Sequence, residues 1–232
     1  MTFLDTAGRP ASAVLFDCDG LLADTEPLWG MAMGAVLRAH GRQTDDVDQL
    51  TLELTGASIN RTVERLTEVS GLPDSSRDAI EHSLLLAYAE IVAERGVPAM
   101  PGAVALVRRA AAALPVAVVS NSPRDVVLPV LEHLALTDSV SVVVGAHRTC
   151  PPKPRPDPYL VACRLLDVAA DRCVAFEDSV TGARAAVAAG LAVTVVPPPD
   201  SATASYPAAC RIVGSLAEVV APCPGVVPHG GL

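Results

Sequence analysis

Residues 12–25 read SAVLFDCDGLLADT, and the fold turns on this stretch. Ala13, Val14, Leu15 and Phe16 run without a break into Asp17, followed by Asp19, Gly20 and Asp24. A short unbroken apolar run near the start of a chain predicts a strand buried on both faces, as in a parallel sheet. Two carboxylates two residues apart at the end of such a strand are costly to desolvate unless a cation or a reaction uses them. Gly20 allows a sharp turn where the acids emerge. Open α/β sheets place ligands at the carboxyl ends of their strands, so Asp17 and Asp19 are the first candidates for an active site. A calcium loop is excluded, because the positions that would need Asp, Gly and Glu hold Leu21, Leu22 and Leu28.

The 232 residues suit one large domain, or a core with a smaller insert. Half of them are hydrophobic but only 3% are aromatic, so the interior is expected to be built from Val, Leu, Ala and Ile. A net charge of −9 argues against nucleic acid or an anionic membrane as partner, but not against a small phosphorylated molecule met by local charge in a cleft. Six cysteines, at 18, 150, 163, 173, 210 and 223, show no CxxC and no metal-ligand spacing. They read as reduced core or loop residues of a cytoplasmic protein. Cys18 lies between the two acids, but no histidine is placed by sequence to serve it as a base. The opening MTFLDTAGRP lacks a basic region and a long apolar core and predicts no signal peptide; no apolar run is long enough to span a membrane.

After the first strand comes a block, roughly 27 to 96, that reads as helical throughout. Leu28, Met31, Ala35 and Ala39 recur at helical spacing, as do Ile59, Val63, Leu66 and Val69 behind an N-cap at Ser58, and Ile80, Leu84, Ala87 and Ile91. Three helices exceed one crossover, so the block is expected to be an inserted subdomain rather than a cover for the sheet. From Pro98 strand and helix alternate again: strands at 116–119, 140–144, 173–176 and 191–196, helices at 102–114, 124–134 (with a possible kink at Pro129), up to 166 and up to 190. The expected architecture is an α/β, doubly wound, Rossmann-like parallel sheet. Its core would comprise 1–24 and 98–222, an α-helical cap 25–97, and a flexible tail 223–232.

Each polar candidate follows a predicted strand: Asp17 and Asp19 the first, Ser120 and Asn121 the next, and Glu177 and Asp178 a later one, with Lys153 on a loop between. In a parallel sheet these ends share one edge. Lys153 is the only lysine beside 16 arginines, a compact ammonium suited to contact a phosphate or carboxylate as a point charge. An ordinary solvated loop lysine is the alternative.

FDCDGLLADT, VVSNS, KPRPDPY and FEDSVTG, in this order and spacing, resemble the four motifs of the haloacid dehalogenase-like hydrolase superfamily. The likeness covers roughly residues 12 to 197 and points to the branch with a helical cap after the first motif, which includes β-phosphoglucomutase and sugar phosphatases. It implies that Asp17 attacks phosphorus to form an aspartyl-phosphate, while Asp19 protonates the leaving oxygen and then deprotonates the attacking water. It further implies a Mg²⁺ ion held by Asp17, the backbone carbonyl of Asp19 and Asp178, with Glu177 near it. Ser120, the Asn121 amide and Lys153 would bind the phosphoryl group. In the cap, Gly56 and Ser58 of the 55–58 turn would face the substrate, and Arg61 could meet a hydroxyl or second phosphate unless it lies on a solvated helix face.

Departures from the pattern narrow the reaction. Asp19 is present where dehalogenases generally lack the second acid, and the cap has no lysine for Schiff-base chemistry. Trp29 and Ile59 stand where the mutase has a histidine and an arginine, and DTEPLW at 24–29 resembles the sugar- and polyol-phosphatase branch. The expectation is a monomeric, Mg²⁺-dependent phosphomonoester hydrolase acting on a small phosphorylated metabolite, a sugar phosphate. A phosphosugar mutase and a non-catalytic phosphate-binding module are the alternatives.

Overall fold

The residues of β1 (Ala13–Phe16) have no exposed surface at any position. Alternate side chains of a strand point to opposite faces, and here both faces are covered. Val14 and Phe16 join one apolar layer, and Ala13 and Leu15 join another. A computed structural model describes residues 2–42, 47–54, 56–147, 150–199 and 201–220.

Around β1 the sheet runs β3-β2-β1-β4-β5-β6, with every pairing parallel. The other strands are β2 (Val116–Pro123), β3 (Val142–Ala146), β4 (Cys173–Glu177), β5 (Ala192–Val195) and β6 (Arg211–Ile212). Val14 lies between Val116 and Val174 in register, so β1 is the centre of the sheet. Helix α7 (Asp157–Leu165) and helix α8 (Val180–Ala188) pack on the face of Ala13 and Leu15. On the opposite face lie α5 (Ala103–Ala111), α6 (Arg124–His133) and the short α9 (Leu216–Val220). This is the expected doubly wound arrangement.

Between β1 and α5 stand four further α-helices: α1 (Glu26–Ala39), α2 (Val47–Leu54), α3 (Ile59–Ser70) and α4 (Arg77–Arg95). The segments leading into and out of them are tied side by side. Asp24 N–H donates to Pro98 O at 2.9 Å, and Met100 N–H to Leu22 O at 3.0 Å. Ser58 caps α3 by accepting from the Arg61 N–H, and Gly71, at φ 66°, ends that helix in the left-handed conformation that glycine adopts without strain.

Some local expectations need correction. In α1 the buried stripe is Leu28, Ala32, Met33, Val36 and Leu37, whereas Met31 and Ala39 are exposed. The predicted stripe followed one set of apolar residues in a helix whose alanines and methionines occupy several faces. In α4 the stripe is Ile80, Leu84, Tyr88 and Val92, with Ala87 and Ile91 at its margin. Strand β3 begins two residues later than expected, β2 extends four residues further, and Pro129 sits inside the single helix α6. Strand β6 and α9 were not anticipated, being too short to show a period. Residues 223–232, expected as a tail, lie outside the described residues. Among the described residues, no helix is long and apolar enough to cross a membrane.

The scarcity of aromatics hides a focal cluster. The chain has three phenylalanines, and they meet: Phe16 stacks on Phe176 at 5.2 Å, and Phe3 meets Phe176 edge-on at 6.0 Å. Phe176→Ala is expected to destabilise the fold by about 3–5 kcal/mol through lost burial and the cavity left behind. Urea unfolding should show a lowered midpoint with an unchanged m-value.

Candidate active site

Three neighbouring strands deliver polar groups to one edge of the sheet. Asp17 follows β1, Ser120 to Ser122 close β2, and Glu177 ends β4 with Asp178 next to it. Lys153, from the proline-rich segment after β3, reaches across all three. Its Nζ donates to Asp17 Oδ1 at 2.5 Å, to Glu177 Oε1 at 2.6 Å and to Val119 O at 2.8 Å. An ammonium has three N–H donors, and all are engaged. Lys153 is buried, so the solvated-loop alternative is ruled out.

Asn121 fixes the segment that carries this lysine. Its Oδ1 accepts from the Lys153 backbone N–H at 2.9 Å, and its Nδ2 donates to Lys153 O and Gly56 O, each at 3.3 Å. One side chain therefore ties the end of β2 to the lysine loop and to the turn before α3. In that turn Gly56 has φ +69°, and a Cβ there would lie 3.2 Å from Ser179 Cβ. Close approach of this turn to the core therefore calls for glycine.

Asp19 has a different environment. Its Oδ2 accepts from Ser120 Oγ at 2.9 Å and Ser122 Oγ at 2.8 Å; its Oδ1 accepts from Thr25 Oγ1 at 2.8 Å and Trp29 Nε1 at 3.3 Å. Trp29 is itself stacked on Tyr88, with ring centroids 4.0 Å apart. So α1 and α4 help to fix the carboxylate of Asp19. Ser122, Thr25 and Trp29 were not foreseen as its partners, because no local sequence signal marks which donors the folded chain turns toward an acid.

Burial pushes Asp17 up to about 8; the Lys153 charge opposes this, while Glu177 and Asp19 add to it. Burial, then the charges of Asp17 and Glu177, pushes Asp178 well above the carboxylate range. Burial works against the Lys153 cation, but Asp17 and Glu177 outweigh it, and the ammonium is held above its ordinary range. Cys18 is buried, and burial, followed by Asp19 and Asp17, pushes its thiol up, so it is unsuited to act as a nucleophile.

Oxygen atoms of Asp17, Glu177 and Asp178 lie within 4.8 Å of one another. Asp178 Oδ1 is buried without a hydrogen-bond partner. Clustered hard oxygens with an unsatisfied buried acceptor fit a divalent cation such as Mg²⁺. The Asp19 side chain is not part of this cluster, which leaves its backbone carbonyl as the ligand it could offer.

Supporting tyrosines and a glycine also escaped the sequence reading. Tyr159 of α7 donates its hydroxyl to Glu177 Oε1, and Tyr206 donates to Asp178 O at 2.5 Å. Ser179 caps α8, accepting from the Gly182 N–H at 3.0 Å. A Cβ at Gly182 would lie 2.0–2.2 Å from the Glu177 carboxylate.

Above the acids is a cavity of about 60 Å³, bounded on the far side by α1, α2 and α3. Gly56 lines it, whereas Ser58 does not and serves as the helix cap. Thr55 lies outside the described residues. Arg61 points to the outer face, paired with Glu64 at 2.8 Å and Glu53 at 3.9 Å, as a solvated helix face would have it.

Residues 11–190 match the family described as haloacid dehalogenase-like hydrolase, and the chain belongs to that family. It is 33% identical over 196 residues to hexitol phosphatase B of Escherichia coli K12, covering 83% of this chain and 86% of that one. It is 28% identical over 221 residues to the bifunctional riboflavin kinase/FMN phosphatase of Arabidopsis thaliana, covering 94% of this chain but only 57% of that longer protein. Among solved structures, CbbY of Rhodobacter sphaeroides in complex with xylulose-(1,5)bisphosphate superposes with a TM-score of 0.74 at 27% identity, over 90% of this chain and 96% of that one.

Gly182→Ala tests how closely α8 supports the site. In an ordinary helix interior this change is stabilising by about 1 kcal/mol. Here the added methyl must displace Glu177, so hydrolase activity should fall by roughly tenfold or more, with no gain in thermal midpoint. Trp29 is the only tryptophan. Because it contacts Asp19 and lines the cavity, inorganic phosphate or vanadate binding should shift its fluorescence, a change that Trp29→Phe removes.

Proposed function

We propose that the protein is a Mg²⁺-dependent phosphomonoester hydrolase that acts on a small sugar or polyol phosphate through an aspartyl-phosphate on Asp17. The observation that carries this reading is the contrast between two acids in one cavity: Asp17 is set against an ammonium, and Asp19 against neutral donors. One acid is thus equipped to act as nucleophile and the other to move a proton. The phosphatase names of relatives and the sugar bisphosphate bound by CbbY support the substrate class.

Asp17 Oδ1 is held by Lys153, so attack on phosphorus falls to Oδ2. The new Oδ2–P bond forms as the ester P–O bond breaks, and the departing alkoxide takes a proton from Asp19. Trp29 can only donate, so Oδ1 of Asp19 remains an acceptor. Oδ2 faces two serine hydroxyls that can rotate, and it is the atom that can carry the proton. Asp19 then takes a proton from water, whose oxygen attacks phosphorus and releases Asp17. Asp17, Asp178, the Asp19 carbonyl and Glu177 would hold the Mg²⁺, which when bound neutralises the acids and the phosphate so that they can coexist.

The helices α1 to α4 we propose to be a cap, hinged where residues 24 and 98 are joined, that closes over the substrate and excludes water. A mutase reading is disfavoured because Trp29 and Ile59 occupy the cavity wall where a mutase's histidine and arginine are expected.

Phosphate release from a panel of sugar, polyol and nucleotide monophosphates is the test. Release should depend on Mg²⁺ and stop with EDTA. Asp17→Asn should lower kcat by at least about 10³-fold while circular dichroism and thermal midpoint show an intact fold. Near-normal release by that variant would refute the nucleophile assignment.

A further inference from the structure

Lys153 is the sole cation among the described residues that line the cavity, and its three donors are already engaged by Asp17, Glu177 and Val119. The other charged groups lining the cavity are carboxylates: Asp17, Asp19 and Glu26. The wall supplied by the helices is largely apolar, formed by Trp29, Met33, Leu54, Ala57 and Ile59.

The arginines of these helices lie elsewhere. Arg61 and Arg65 are paired with Glu53, Glu64 and Glu68 on the outer surface, and Arg77 with Glu64. Arg42 donates twice to Ser70 O. None of these four lines the cavity, nor do Arg38 of α1 and Arg95 of α4, although Arg38 lines the adjoining pocket that shares Glu26 with it.

We infer that this site takes monophosphates whose remainder is uncharged and discriminates against bisphosphates, with Ile59 as the specificity-determining residue on the helical wall. This rests on the hydrolase reading above and deepens it. A second phosphate adds up to about two negative charges at neutral pH. On the helical side it would meet an aliphatic wall and Glu26 rather than a counter-cation, and an unpaired charge in such surroundings is strongly disfavoured. A sugar or polyol chain, by contrast, can lay its C–H faces against Trp29, Leu54 and Ile59.

The test separates binding from turnover. Asp17→Asn protein in Mg²⁺ is titrated calorimetrically with inorganic phosphate and with two matched pairs, xylulose 5-phosphate against xylulose 1,5-bisphosphate and fructose 6-phosphate against fructose 1,6-bisphosphate. At least one monophosphate should bind more tightly than phosphate and, by about 10–100-fold, more tightly than its bisphosphate. Ile59→Arg should strengthen bisphosphate binding by about tenfold or more, while Ile59→Ala, which adds space without charge, should leave the order unchanged. Bisphosphates binding as tightly as monophosphates would overturn the inference, as would monophosphates binding no better than phosphate. If the monophosphate preference holds but the wild-type enzyme releases no phosphate from any ester, the hydrolase reading fails and the specificity inference stands.

Discussion

The ammonium of Lys153 is the interaction on which the rest of this structure depends. It bridges the carboxyl ends of three strands adjacent in the sheet, β2, β1 and β4, through Val119 O, Asp17 and Glu177. Like charges about 4 Å apart repel by roughly 4 kcal/mol at an effective dielectric near 20. Oxygens of Asp17, Glu177 and Asp178 are buried within 4.8 Å of one another, so ionising them together calls for a cation among them. A guanidinium would bring a wide planar fork, whereas a compact ammonium directs three donors to three acceptors. That explains why a chain rich in arginine has its lysine here. Buried ion clusters are poor stabilisers compared with apolar packing, and their presence at the sheet edge is explained by chemistry rather than by stability.

The two acids of the first motif are separated by a single residue, yet their surroundings come from different parts of the chain. Asp17 is set by the sheet: Lys153 and its own N–H to Phe176 O fix it against β4. Asp19 is set from both sides of the cavity, by Ser120 and Ser122 at the end of β2 and by Thr25 and Trp29 at the start of the helical block. Trp29 is in turn held by Tyr88 of α4. Movement of the helices relative to the sheet would therefore change the partners of Asp19 more than those of Asp17. In the mechanism proposed above, closure of the helices would therefore bear on proton transfer by Asp19 and leave Asp17 in place.

What could be read from the sequence was whatever has a short-range signature. The unbroken run before Asp17, the SN after a second apolar run and the ED after another each mark a strand end, and parallel pairing brings them together. The lone lysine stood out by composition. The helix faces were harder, because α1 is rich in Ala, Met and Gly, and such residues show little contrast between faces. The support groups were not legible at all. Tyr159, Tyr206 and Gly182 act through contacts with residues 18, 28 and 5 positions away, and their roles follow only from how α7, α8 and the chain after β5 cross the sheet edge. Gly182 is instructive: it sits in a helix where alanine would be preferred locally, and only the carboxylate behind it explains the glycine.

The overall charge of −9 is unfavourable for a phosphate ligand but favours the local accumulation of divalent cations. The site reconciles these demands by concentrating its charge at one end. Buried acids and one ammonium lie at the sheet edge, where a cation and a phosphoryl group can complete the balance. The opposing helices carry their arginines on the outside and show the cavity a mainly apolar wall. Recognition of the reacting group and recognition of its carrier are then physically independent. The first relies on charge neutralisation within the sheet edge, and the second on shape and apolar contact with α1, α2 and α3. Variation in the helical wall can alter which carrier fits without disturbing the acids, whereas any change that moves Lys153 acts on three strands at once.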